Sequence, residues 1–119
     1  MTTTTNVLDL AKELHARIAS GELLEAFDEL YADDVSMQEN LNEPVVGHAA
    51  NRERELAFLA GIAEVHGYDV HAIAAEGDTT FVESTLRFRS TDGDEVSMTQ
   101  VSRSRWRDGK IADERFYHH

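Results

Sequence analysis

Cysteine is absent, and proline occurs once, at Pro44, in a chain of 119 residues. Without cysteine there are no disulfides, no thiolate nucleophile and no thiolate metal ligand, which fits a reducing compartment and a cytoplasmic protein. No apolar run approaches the roughly 20 residues of a membrane-spanning helix. The start, Met1-Thr2-Thr3-Thr4-Thr5-Asn6, lacks the basic and apolar segments of a signal peptide. Basic residues are scarce: 11 against 23 acidic, for a net charge of −12. That field favours solubility and repels phosphate backbones and anionic lipid, so neither nucleic acid nor membrane is an expected partner. The phosphate-cradling, dinucleotide-binding, nucleophile-elbow and H-E-x-x-H zinc patterns are missing as well. His66 and His71 have no partner at metal-ligand spacing. Neither a metal nor another cofactor is expected. With no linker-like segment, residues 1–119 read as a single domain, long enough to bury about two-thirds of its unfolded surface.

The first half of the chain has helical periodicity. Asn6 is a good N-cap, with Asp9 in the first turn. Val7, Leu10, Ala11, Leu14 and Ile18 make one apolar stripe, Glu13 and Arg17 pair on the wet side, and Gly21 stops the helix. A second helix fits Glu22 to Leu30, ended by Tyr31-Ala32-Asp33-Asp34. Val35 to Glu39 reads as a short strand and Asn40 to Val46 as a loop. A third helix runs from His48 to about Ala63, with Leu56, Leu59, Ile62 and Ala63 on its buried side.

The second half is different. Gly77, Gly93 and Gly109 recur every 16 residues, each after an acidic residue and between β-rich stretches. This pattern predicts a meander of four long strands. A strand of about 12 residues spans roughly 40 Å and usually bends, so the sheet should curve. Two-residue Asp-Gly turns would pair Trp106 with Ile111 and scatter apolar residues over both faces. Three-residue loops with a left-handed glycine pair Trp106 with Lys110 and Ser90 with Asp94. One face then holds Val82, Leu86, Phe88, Val96, Met98, Trp106, Ala112 and Phe116. The other holds Glu83, Arg87, Arg89, Arg103, Arg105, Asp113 and Arg115. A one-residue slip exchanges whole faces, so clean segregation selects the bulged loops. The same rule at Gly77 turns Tyr68, Val70, Ala72 and Ala74 inward. The expected fold is α+β, with three N-terminal helices on the concave face of a curved antiparallel sheet of one short strand and a four-strand meander.

This register carries Ser84, Gln100, Ser102, Ser104, Glu114 and His118 toward the helices. Glu114 matters most, because a buried carboxylate is costly without partners. It is either a desolvated acid with a raised pKa, usable as a general acid or base, or a carboxylate paired with an arginine or left in water at a cavity mouth. Glu39 offers a second carboxylate at the mouth, or is an exposed acid before a loop. Tyr68 and His15 offer polar groups to a ligand, or are core and rim residues. Ser84, Gln100, Ser102, Trp106 and Phe116 complete the candidate substrate contacts. On the outer face, Arg87, Arg103 and Arg105 surround Val101 and Tyr117. That surface suits a sheet-to-sheet homodimer, or is simply solvated.

Ser20-Gly21-Glu22-Leu23, Tyr31-Ala32-Asp33-Asp34-Val35, Gly47 before the third helix, and Trp106-Arg107-Asp108-Gly109-Lys110-Ile111 before the last strand occur in a telling order. In this the chain resembles the SnoaL-like branch of the nuclear-transport-factor-2-like superfamily. The resemblance implies a cone of helices on a curved sheet, a pocket for a small apolar or oxygenated molecule, and often a homodimer. Such proteins include polyketide cyclases, steroid isomerases, epoxide hydrolases and dehydratases, and also non-catalytic members. Against the steroid isomerases, the base aspartate falls on Glu39, the oxyanion tyrosine on Leu14 and the protonated aspartate near Ser102. The epoxide-hydrolase set needs an inward arginine, whereas Arg103 and Arg105 point outward. In cyclase-like members an acid on the last strand is the base, which matches the strand face of Glu114 and His118. The expected activity, if there is one, is cofactor-free acid/base chemistry of the isomerase, cyclase or hydratase/hydrolase type. The alternative is a ligand-binding or dimerisation domain of the same fold.

Overall fold

A computed structural model of the protein describes residues 6–118. The Asn6 side chain caps helix α1 (Val7–Ala19) by accepting from Leu8 N at 2.8 Å. Gly21, at φ +85°, closes it: Glu22 N donates to Arg17 O and Gly21 N to Ile18 O. Helix α2 (Leu23–Leu30) leads directly into β1 (Tyr31–Glu39). Then follow β2 (Val45–Val46), α3 (His48–Ala60), β3 (Ile62–Glu76), β4 (Thr79–Ser90), β5 (Glu95–Arg107) and β6 (Lys110–Tyr117).

The α+β class, the three helices and the curved sheet are as expected; the sheet itself is larger. It has six strands in the order β2-β1-β6-β5-β4-β3. It is also mixed, because β1 lies parallel to β6, with Met37 opposite Glu114. Tyr31 opens this strand instead of ending a helix. The segment expected as a loop supplies β2, where Val45 and Val46 pair with Met37 and Ser36. Arg17 reaches across to Glu29 on α2 at 2.6 Å, and no direct bond to Glu13 forms.

The faces of β4, β5 and β6 are as expected, but part of β3 and two of the three turns differ. The β4–β5 connection is the bulged three-residue loop: Ser90 and Asp94 close it around Gly93 at φ +92°. The last hairpin instead turns through two residues, Asp108 and Gly109 at φ +54° and +81°, with Arg107 opposite Lys110 and Trp106 opposite Ile111. Phase is restored one step later, where Arg105 pairs with Asp113 and Ala112 is left over as a bulge. The Gly77-Asp78 turn is also two residues long, with Glu76 opposite Thr79. It places Ile73, not Ala72 or Ala74, against the core beside Val82. The two alanines pair with Glu83 and Phe81 on the outer face. A bulge between Val70 and Ala72 then returns Tyr68 and Val70 to the inner face.

The core gathers Ala11 and Leu14 of α1, Ala26, Phe27 and Leu30 of α2, and Tyr31, Val35, Met37, Val82, Trp106 and Ile111 of the sheet. Helix α3 ends earlier than expected, so Ile62 and Ala63 belong to β3. Its buried residue is Asn51, while Leu56 is 42% exposed. No helix among the described residues is long and apolar enough to cross a membrane.

Candidate functional site

Beyond the packed core, α1, α3 and the sheet enclose a cavity of about 350 Å³. Its floor is built by β6 and its neighbours. Glu114 is 1% exposed, and each of its carboxyl oxygens has a hydroxyl partner. Tyr31 Oη donates to Oε1 at 2.6 Å and Ser104 Oγ to Oε2 at 2.5 Å. The parallel β1–β6 pair and the β5–β6 register bring these three groups together. Among the described residues no guanidinium takes part: of the alternatives, Glu114 is the desolvated acid, held by two neutral donors rather than by an arginine or by water at a mouth. Burial raises the Glu114 pKa from its ordinary value to about 7. The Ser104 and Tyr31 hydrogen bonds pull it back, and the charges of Glu55 and Asp113 push it up. Burial and the adjacent Glu114 charge raise the Tyr31 phenol well above its usual range.

His15, 4% exposed, meets Tyr68 Oη through Nδ1 at 2.6 Å. Burial lowers its pKa to about 4, so the imidazole is neutral at physiological pH. Burial also raises Tyr68, with a hydrogen bond to Ser84 opposing. At the other end, Asn51 Nδ2 donates to the carbonyls of Val45 and Gly47 at 3.0 and 2.9 Å, fixing the start of α3. Arg54 spans from Asn51 Oδ1 to Glu39 Oε1, at 3.0 and 3.2 Å. His118 Nε2 lies 2.6 Å from the second oxygen of Glu39. One helical turn of α3 therefore commits Glu39 to a mouth-side ion pair.

Of the residues singled out in the sequence, the cavity wall brings together Glu114, Glu39, His15, Tyr68, Ser84, Gln100, Ser102 and Phe116. Trp106 is not among them. It is 3% exposed within the packed core, and its indole Nε1 donates to Thr80 Oγ1 at 3.0 Å. The position is set by the two-residue turn and the Ala112 bulge. Tyr31, Arg54, Glu55 and Phe58 line the cavity without having been expected there. The signal for α3 was its spacing: Asn51, Arg54, Glu55 and Phe58 recur at helical intervals on one face. The apolar stripe of Leu56 and Leu59 masks it. Among the described residues no cluster of metal-ligating side chains forms.

The profile of the SnoaL-like domain matches residues 11–114. The chain belongs to the SnoaL-like family. No curated protein matches it. Among solved structures, a candidate SnoaL-like polyketide cyclase from Mesorhizobium loti superposes with a TM-score of 0.84 at 24% identity, over 96% of this chain and 100% of that one. An NTF2-like protein of unknown function from Burkholderia pseudomallei gives 0.82 at 16% identity, over 98% and 92%. TerC, co-crystallised with polyporic acid, gives 0.78 at 17% identity, over 95% and 91%. At these identities the likeness speaks for a shared fold. The cavity of this SnoaL-like chain carries the Tyr31–Glu114–Ser104 triad, the His15–Tyr68 pair and the Arg54–Glu39 mouth.

Proposed function

We propose that the cavity takes a small, apolar, oxygenated molecule and that Glu114 moves a proton on it without a cofactor, in an isomerisation, cyclisation or hydration. The observation that carries this reading is a fully buried carboxyl at the cavity floor, raised by burial to a pKa of about 7 and, among the described residues, bonded to hydroxyls and to no cation. A proton carrier poised near the working pH is present in both forms and is the most effective general acid or base. As the carboxylate, Glu114 accepts a proton from the substrate, with Tyr31 and Ser104 holding its two oxygens in place. The Tyr68 phenol, set by neutral His15, supplies a polar contact for a substrate oxygen. Gln100 and Ser102 add further polar atoms on the same wall.

The test is a metabolite screen by thermal shift, followed by turnover assays on the hits. The substitution Glu114→Gln keeps shape and donors but cannot carry the proton. We expect it to bind the ligand and to lose turnover by about 10²–10⁴-fold. Full turnover by this variant would remove Glu114 from the mechanism. One observation favours a second reading, a non-catalytic binding domain: both Glu114 oxygens already have donors, as in a structurally satisfied carboxylate. That reading expects saturable binding with no turnover by the wild-type chain.

A homodimer through the outer face and a cytoplasmic setting belong to the same proposal. Phe81, Val101 and Tyr117 form an apolar patch there, and Phe81 and Tyr117 are 40% and 41% exposed. Around the patch Arg103 pairs with Asp113 and Arg87 with Asp69, leaving little net charge to oppose a second copy. A Tyr117→Glu variant that sediments like the wild type would exclude this face as the contact.

A further inference from the structure

The cavity holds three carboxyl groups, and they differ in what already occupies them. Glu114 carries Tyr31 and Ser104. Glu39 carries Arg54 and His118. Glu55, on the inward face of α3, lines the same cavity, and no donor among the described residues meets it at hydrogen-bond distance. No buried side-chain oxygen among the described residues lacks a partner, so the Glu55 oxygens open onto the cavity space. Ser102, 2% exposed and likewise without a side-chain partner, faces that space from β5. Among the described residues Arg54 is the cation of the cavity wall, and two of its five N–H donors go to Asn51 and Glu39. His15 is neutral.

We propose that Glu55 reads the ligand, so that the cavity takes apolar molecules bearing a hydrogen-bond donor, a hydroxyl or a protonated amine, and turns away carboxylates. This rests on the cavity being a small-molecule site. An acceptor-only carboxylate with no partner gains a charge-assisted hydrogen bond from such a donor. A ligand anion would meet the like charge of Glu55 in a poorly solvated space, beside a guanidinium already shared with Glu39. Burial raises the Glu55 pKa, the nearby Arg54 charge opposes this without a bond between them, and the Glu39 charge adds to the rise.

Four two-ring aromatic probes test the idea at neutral pH: 2-naphthol, its methyl ether, 2-naphthylmethylamine and 2-naphthoate. Their affinities are measured by titration calorimetry on the full wild-type chain and on the Glu55→Gln and Glu53→Gln variants. Glu53 lies exposed on the same helix, so its substitution removes the same charge outside the cavity. The wild type should bind the naphthol and the amine about tenfold or more tighter than the ether and the carboxylate. Glu55→Gln should shrink the amine-over-carboxylate preference by about tenfold or more and leave the ether unchanged. Glu53→Gln should match the wild type. Binding of the probes in an unaltered order by Glu55→Gln overturns the role of Glu55 and leaves the cavity reading intact. Loss of all four probes by Glu55→Gln would make Glu55 a support of the cavity wall and equally overturn the proposal. If no probe saturates the wild type, the cavity reading falls, and this proposal falls with it.

Discussion

Strand β5 sends one face toward the helices, and the two ends of that face meet different surroundings. Trp106 is covered by a packed core in which α1 and α2 contribute Leu14, Phe27 and Leu30. Its single polar atom is matched by Thr80. A few residues earlier, Ser102 and Gln100 face open space bounded by Arg54, Glu55 and Phe58 of α3. Ser104 stands between them, committed to Glu114. The strand alone does not decide which end is core and which is cavity. The helix laid over it does: an apolar stripe fills the space, and a polar face leaves it open.

That contrast can be tested by substitutions along the same strands. The largest effect is expected at Trp106→Ala, which opens a void in the filled end and strips Thr80 of its donor; unfolding by denaturant should show a loss of about 3–5 kcal/mol. Next comes Glu114→Gln. The folded pKa of Glu114 is raised, so the native state holds a proton that the unfolded chain releases between about pH 4.5 and 7. Its contribution therefore falls as pH rises through that window. Above pH 7 the glutamine variant should be more stable than the wild type, by on the order of 3 kcal/mol. His15 works in the opposite sense. Its folded pKa is lowered from 6.5 to about 4, so its contribution rises with pH across that range. The two slopes oppose each other in the wild type between about pH 4.5 and 6.5. Thermal melts of Glu114→Gln should rise with pH there, and those of His15→Asn should fall. Equal slopes in the two variants would break the account of both groups.

Smaller effects separate two serines on one strand face. Ser104→Ala removes a donor from a buried carboxylate and should cost about 1–3 kcal/mol while raising the Glu114 pKa further. Ser102→Ala removes a hydroxyl with no side-chain partner and should change stability by no more than about 0.5 kcal/mol. A Ser102 variant as damaging as the Ser104 variant would mean that the cavity end is packed like the core.

What was legible in the sequence follows from which interactions are local. The α1 stripe and its caps are set within a few residues, and both are found where the pattern puts them. The inward placement of Glu114 follows from face segregation, a property of strand period, and it survives the wrong turn at Gly109. The turns were not legible. Three acidic-Gly signals look alike, yet two make two-residue turns and one makes a three-residue loop. Bulges near His71 and at Ala112 compensate, and nothing in the turn itself announces them. The parallel partner of β1 lies some 80 positions away and is chosen by how the helices pack. That is why Tyr31, read as a helix end, was missed as the partner of Glu114. The inward face of α3 was hidden for a related reason: beside a cavity, polar residues can face in and Leu56 can face out.

The parallel β1–β6 pairing has a consequence in time. Tyr31 and Glu114 are 83 positions apart, and β6, which carries Glu114, follows β1 to β5 in the sequence. Until β6 is in place, β1 has no seat in the main sheet, although α1 can already lie against β3 through His15 and Tyr68. Closing so long a loop makes folding slow and leaves bare strand edges exposed meanwhile.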